Sequence, residues 1–438
     1  MTSARNSTAY LAALAAMGLI AGGMSSASAA DLGGNCCADL EERIAELEAT
    51  TARKGNRKVS LVVSGWVNEA VFFWDDGSEQ NIYVGTNSLE QTRFRFTGEA
   101  KIVDGWSAGY ALEIGVAATA SNTFNQNLDN GSATSGLTVR QSHWFLKSKD
   151  YGKLSVGLTG TATYHLLDDA DGTNTRNYAD AEAAAVALGA FQLRVAGAAV
   201  GANVRWNQVL RGANNATPGQ SGRRNVVRYD SPAIAGFTIT AAWGEDDLGD
   251  VALTYKGDIG DFKLTGKAGY GQITDENTQT CHTQVAGVQQ DCQWWGVAGT
   301  VMHAPTGFYV YAGYGEQQDD TRKLIVATAD DTDVTWFVQG GIEKKFTPYG
   351  TTTFFGEYRH DDAGSNPAAS FAVLGVNGIV QSSDIDHVAV GLVQNIDAAA
   401  MDLYVIYRHA QGDITNSANR TLELDDFDVV ITGVRLQF

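Results

Sequence analysis

From position 59 onward the polar and apolar residues of this chain alternate with a period of two. The clearest run is 91–102. Gln91, Arg93, Arg95, Thr97, Glu99 and Lys101 share one parity, and Thr92, Phe94, Phe96, Gly98, Ala100 and Ile102 share the other. All the charges fall on one side, as the strand pleat requires when one face meets water and the other an apolar medium. In 261–272, Asp261, Lys263, Thr265 and Lys267 oppose Phe262, Leu264, Ala268 and Tyr270. In 335–346, Gln339, Glu343 and Lys345 oppose Trp336, Val338 and Ile342, with Lys344 breaking the rule near the end. In 351–360, Glu357 and Arg359 oppose Phe354 and Tyr358. Read in order, sixteen such segments occur, near 59–74, 91–103, 105–117, 138–149, 151–159, 224–230, 236–244, 249–256, 261–272, 292–303, 307–317, 334–345, 351–361, 385–395, 400–411 and 426–438.

A soluble sandwich would also alternate, with its apolar face in the core. Two features favour lipid. Many of the segments reach the roughly 9–11 residues of a tilted membrane strand, whereas soluble strands average about 5–6. The connections also alternate: tight turns such as Asp104-Gly105 and Asp150-Tyr151-Gly152 follow the even strands, and mostly longer segments follow the odd ones. Pro232, Pro305 and Pro348 fall in short turns and Pro218 and Pro367 in long loops, so no strand loses a ladder N–H. The pattern predicts an all-β fold: a 16-stranded antiparallel transmembrane β-barrel over 59–438, with long external loops. Closure is required because lipid cannot satisfy open backbone groups.

The first residues read differently. Arg5, the uncharged run Tyr10 to Met24 and Ala27-Ser28-Ala29 fit a secretory signal peptide over 1–29. Between it and the barrel, 30–58 is expected to be a periplasmic segment. Cys37, Leu40, Ile44, Leu47 and Thr51 step by 3, 4, 3 and 4, a heptad seam of about two heptads. An isolated helix this short is marginal in water and would need partner chains beside it. A solvated helical linker is the alternative.

Composition narrows the function classes. The chain has 49 Gly, 5 Pro and 10% aromatic residues, as expected for a large β-structure with alternating faces. Its net charge of −19 gives no electrostatic reason to bind nucleic acid. Asp75, Asp76, Asp319, Asp320, Asp330, Asp331, Asp361 and Asp362 are in turn-like segments. They read either as solubilising loop residues or as a negative mouth that attracts cations. Neither a GxSxG, a Walker-type loop nor an HExxH occurs, so no catalytic residue, cofactor or metal is expected. His360 beside Asp361 and Asp362 reads as an acidic loop tip. Cys281 and Cys292 share one polar loop, and an exported chain is expected to bridge them. Cys36 and Cys37 are adjacent, and bridging between chains is one outcome.

The longest connection, 160–223, exceeds a simple surface loop. It carries Asp168, Asp169 and Asp171 and an Ala-rich stretch, 181–190, of helical composition. Such a loop must pack on something, either the barrel lumen or an external lobe. Arg93, Arg95, Lys101, Arg140, Arg224, Arg228, Lys345, Arg359, Arg408 and Arg435 are the candidate basic wall. An acidic loop facing that wall would set a transverse field at the narrowest point. Arg93 and Arg95 are the expected partners of the loop acids, and the acidic mouth predicts weak cation preference.

The final alternating strand, from Phe427 to a closing Phe438, looks like the assembly signal of bacterial outer-membrane barrels. The start Ala30-Asp31-Leu32 and the segment Asn225-Val226-Val227-Arg228-Tyr229-Asp230-Ser231-Pro232, followed by Gly236-Phe237, resemble the general porins of alphaproteobacteria, the rhizobial porin family. The Cys-Cys pair and heptad segment depart from the family's usual N-terminus. The resemblance implies a homotrimer with an inward-folded third loop. The expectation is a passive channel for small hydrophilic solutes and ions, embedded in outer-membrane lipid and lipopolysaccharide. An outer-membrane barrel acting as adhesin or hydrolase is the alternative, and a soluble carbohydrate-binding β-protein a more distant one.

Overall fold

The computed structural model describes residues 58–438 apart from 118, 128–135, 180–188, 202–203, 211–216, 245–246 and 275–290. The signal-peptide, heptad-helix, Cys36–Cys37 and Cys281 assignments lie outside the described residues, as does nearly all of the Ala-rich stretch. What is described belongs to one unit, Asn56–Phe438.

Sixteen strands form the wall. They are β1 Val62–Asp75, β2 Arg93–Val103, β3 Trp106–Ala117, β4 Gly136–Ser148, β5 Gly152–Gly160, β6 Arg223–Asp230, β7 Phe237–Gly244 and β8 Leu248–Ile259. The ring continues with β9 Phe262–Ile273, β10 Cys292–His303, β11 Phe308–Asp319, β12 Thr332–Thr347, β13 Gly350–Ala363, β14 Val376–Ile396, β15 Met401–Asn416 and β16 Phe427–Gln437. Every neighbouring pair is antiparallel, and β16 returns to β1 from Asp75↔Asp428 to Trp66↔Gln437. Gly65 and Phe438 exchange both backbone hydrogen bonds at 3.0 Å, which locks the seam.

The alternation read from the sequence sorts the two faces. Trp336 and Phe346, both outward on β12, are about ten residues apart, roughly 33 Å of strand and about 25 Å of height at the usual tilt. Aromatic residues mark both edges of that band. Trp295 packs on Tyr314 and Trp336 on Tyr358 at the rim of long loops. Phe237 packs on Tyr255 and Phe346 on Phe354 near the rim of short turns. Val251, Val297, Val310, Val338 and Val388, all exposed, fill the space between. No described helix is long and apolar enough to cross a membrane, and the crossing elements are strands.

Three differences from the sequence pattern are informative. A strand at Gln80–Thr86, unmarked in the pattern, pairs with the upper part of β1, while β2 pairs with its lower part. The second position of the ring is thus filled by two pieces, separated by the 3-10 turn Ser88–Glu90, which the Asn87 side chain caps. Strand β14 begins at Val376, well before the expected 385, because its start pairs with a short strand at Asn366–Val373. Pro367 therefore falls in a strand and not in a bare loop; the ladder jumps from Asn366 to Ser370 past it.

Candidate pore constriction

The long connection between β5 and β6 lies against inward-facing wall residues. Asp250 of β8 accepts the Ala162 and Thr163 N–H groups at 3.0 and 2.7 Å. Tyr311 of β11 donates to the Leu167 carbonyl at 2.7 Å, and Thr300 of β10 donates to that of Ala170 at 2.7 Å. Glu343 of β12 accepts the Asn174 N–H at 2.7 Å. The Tyr178 hydroxyl donates to Asp402 of β15 at 2.7 Å, and its ring stacks on Tyr404. The return passes so close to the wall that a Cβ on Gly315 would sit 2.0 Å from the Pro218 carbonyl oxygen. Between these stretches, Phe191, Leu193, Val200, Val204, Trp206 and Val209 join the apolar cluster of Phe72, Trp74, Ile385, Phe427 and Ile431. The connection therefore lies along the wall from β6 round to β1, and the inward side chains of β2 to β5 remain across from it.

The three loop acids have different environments. Asp168 is fully buried and bound to His165 Nδ1. Burial opposes its charge, but the imidazole contact outweighs it and holds the carboxyl below the usual range. Burial lowers the pKa of His165 against the pull of Asp168. Asp169 is 46% exposed and sits between Arg176 of the loop (3.1 Å) and Lys267 of β9 (3.2 Å). The surrounding protein opposes its ionisation, and Arg176 and Lys267 overcome this, holding it well below the ordinary carboxylate range. Asp171 is buried, accepting from Thr173 and Thr175 at 2.7 and 2.6 Å. Burial pushes it up to about 6 against those hydrogen bonds. Asp169, Asp171, Arg176, Thr254, Lys256 and Lys267 line a cavity of about 380 Å³.

The expected pairing of these acids with Arg93 and Arg95 is corrected by the geometry. Both arginines, with Arg140, converge on Glu113 of β3. Arg95 Nε lies 2.6 Å and Arg140 Nε 2.9 Å from its carboxylate, and Arg93 Nη1 3.5 Å. Glu113 is buried, and Arg93 also lies 3.5 Å from Glu90 and stacks over Trp66. Glu113 was not among the candidates. Arg228 is part exposed and held by Asp230 and the Gly160 and Thr161 carbonyls. Arg359 points inward but is 1% exposed, locked bidentately on Asp361 in a region the loop covers, so it does not meet lumen water.

The mouth acids are largely committed. Asp76 pairs with Arg194, Asp319 and Asp333 with Arg322, Asp331 with Lys323 and Asp361 with Arg359. Asp362 takes the outward parity. Among the described residues, His360, Asp384 and Asp386 have potential ligand atoms within 4.8 Å of one another. They lie on the outward face, where His360 is hydrogen-bonded to Asp386 at 2.9 Å, and they play no part in the lumen. Cys292 is buried and disulfide-bonded, with its partner outside the described residues.

Comparison with known proteins places this geometry. Residues 11–272 match the family described as Gram-negative porin. Solved structures resemble the chain over most of its length. An anion-selective porin from Comamonas acidovorans is 16% identical with a TM-score of 0.53, the match covering 87% of this chain and 100% of that one. OmpT, an outer membrane protein of Vibrio cholerae folded in vitro, is 14% identical with a TM-score of 0.51, over 88% and 99%. OmpF of Salmonella typhi, in complex with daunomycin, is 12% identical with a TM-score of 0.51, over 88% and 99%. At these identities the likeness is one of fold. No curated protein matches the sequence.

Proposed function

The chain belongs to the Gram-negative porin family, and from that premise we propose that it works as a homotrimeric, passive diffusion pore for small hydrophilic solutes and ions. It is a multi-pass β-barrel of the outer membrane, and its family and fold imply a channel rather than an enzyme. The observation that carries the solute reading is the division of the lumen. Polar anchors hold the β5–β6 connection against one side, while charged side chains of β2 to β5 stand opposite it. Short turns lie on the periplasmic side and long loops outside, the usual arrangement for such barrels.

Three finer assignments belong to this reading. The segment from Asn225 to Pro232 supports membership of the alphaproteobacterial branch. The heptad seam at 37–51, with Cys36 and Cys37, supports a periplasmic helix that joins three copies. The partner of Cys292 is Cys281, the nearest cysteine in the chain. The outward band with its aromatic edges would contact lipid and, on the outer side, lipopolysaccharide. Purified protein is expected to require detergent and to insert into planar bilayers with stepwise conductance. A water-soluble monomer without conductance would overturn the reading.

A further inference from the structure

An acidic chain suggests a cation-preferring pore, but the lumen has a different balance from the whole. Its loop carboxylates are already occupied among the described residues. Asp168 is buried against His165, Asp171 is enclosed by threonine hydroxyls, and Asp169 is shared by Arg176 and Lys267. Of the mouth acids, Asp76, Asp319, Asp331 and Asp361 are ion-paired and Asp75 and Asp362 take the outward parity, which leaves Asp320 and Asp330 in the loop after β11. The basic side chains are not balanced in the same way. Three guanidiniums crowd around Glu113. Lys256 of β8 projects into the 380 Å³ cavity, is exposed, and has no ion-pair partner among the described residues. Toward the periplasmic rim, Lys147 and Lys153 are directly opposite each other across β4 and β5, on the inward face. Like charges in that position repel. The arrangement is tolerated at least cost where water and mobile anions screen it.

We propose that this pore favours anions, and that solutes bearing a carboxylate or phosphate rest in the cavity where Lys256 and Lys267 of the wall meet Arg176 of the loop. The proposal rests on the channel reading above. Among the described residues, such an anion would meet Lys256, Lys267 and Arg176 beside one exposed carboxylate, Asp169, and the Thr254 hydroxyl beside them offers a hydrogen-bond donor. From there Lys153 and Lys147, with Lys101 and Lys149 near them and Asp230 and Glu99 as the neighbouring carboxylates, lead on toward the exit. The chain's surplus of acids resides elsewhere: on the outward face, as with Asp384, Asp386 and Asp428, and in loop ion pairs.

The test is reversal potential in planar bilayers across a KCl gradient, with inorganic pyrophosphate as a probe of the cavity. Chloride is expected to permeate more readily than potassium at low salt, with the preference shrinking as salt rises and screening shortens. Lys256→Glu changes the local charge by two at an exposed position with no ion-pair partner among the described residues, so the barrel is expected to fold and insert as wild type does, while its current and selectivity change. Its chloride-to-potassium permeability ratio should fall about three- to sixteenfold, the Coulomb effect of two charges at roughly 10 Å in water, opposite in sign on the two ions, with and without screening. Pyrophosphate should reduce the wild-type current and act more weakly on Lys256→Glu. A conducting but cation-preferring wild-type pore, or a Lys256→Glu pore with unchanged selectivity and pyrophosphate response, would overturn this proposal alone. Absence of any stepwise conductance would overturn the channel reading, and this one with it.

Discussion

Replacing Glu113 by Gln keeps its shape and removes its charge from the point where three guanidiniums meet. The carboxylate is 1% exposed, and Arg93 and Arg140 are nearly as enclosed, whereas Arg95 is 35% exposed. One ion contact near 4 Å at an intermediate effective dielectric is worth about 4 kcal/mol before desolvation. Desolvation cancels much of that, and removing one partner of a buried pair has a net cost of about 3–5 kcal/mol. Solvent screens the Arg95 contact, so the lower end applies, about 3 kcal/mol. Urea unfolding of the barrel in lipid vesicles, followed by tryptophan fluorescence, would measure it, since Trp66 lies 4.5 Å beneath Arg93. The same variant should shift the reversal potential toward anions. Glu113→Gln with Arg95→Gln should recover part of the lost stability, because one uncompensated cation is gone. A single variant within about 0.5 kcal/mol of wild type, the range of an inert surface change, would refute the account of Glu113 as the keystone of this cluster.

Three other outcomes follow from the loop. Asp171 is pushed up to about 6, so the folded barrel binds its proton more tightly than the unfolded chain does. That contribution is complete below the unfolded value, near 3.8, and is lost as pH rises through about 6; Asp171→Asn should therefore gain on wild type toward neutral pH, by at most about 3 kcal/mol, and parallel urea midpoints across pH would refute this. Tyr178→Phe removes the loop's 2.7 Å donor to Asp402, which keeps Arg435 and Asn395, and should cost about 1.5–3 kcal/mol of loop anchoring and appear as added current noise; an unchanged noise spectrum would count against the anchor. Cys281 and Cys292 should be recovered as one bridged peptide pair by mass spectrometry of unreduced protein, closing a loop whose contribution is about 2–3 kcal/mol; two free thiols would refute the assignment.

The strand pattern was legible because each wall strand answers to two solvents, and that constraint is local. All sixteen expected segments overlap observed strands. Side-chain partners were less legible, and Glu113 shows why. Folding the β2–β3 hairpin evenly about Asp104-Gly105 sets Arg95 against Ile114. A register shift between Lys101 and Val103 moves the partner by one residue, to Glu113. A one-residue slip exchanges the faces of a strand, and no residue type in that stretch announces the irregularity. Lys267 stood out as a charge on the polar parity of 261–272 and Lys256 was not singled out; their meeting with Asp169 and Arg176 depends on how a connection of some sixty residues lies in the lumen. The split of the second strand was hidden for a related reason: Gln80–Thr86 mixes polar and apolar residues without clean alternation and rests partly on the capped turn that follows it.

The seam between β1 and β16 has a kinetic consequence. Residues 66–75 take their partners from 428–437, nearly the full described length of the chain away. No other wall pairing spans such a distance, since the rest join strands that follow one another. Hairpins can form early and locally, but the ring acquires its last ladder only after every intervening strand is in place. Rates fall as contacts become less local, because chain entropy is lost before the contact forms. The slow step of assembly is therefore expected at this one joint, where an open sheet still presents two unpaired edges. Until it closes, those edges can recruit each other or the edge of another chain equally well.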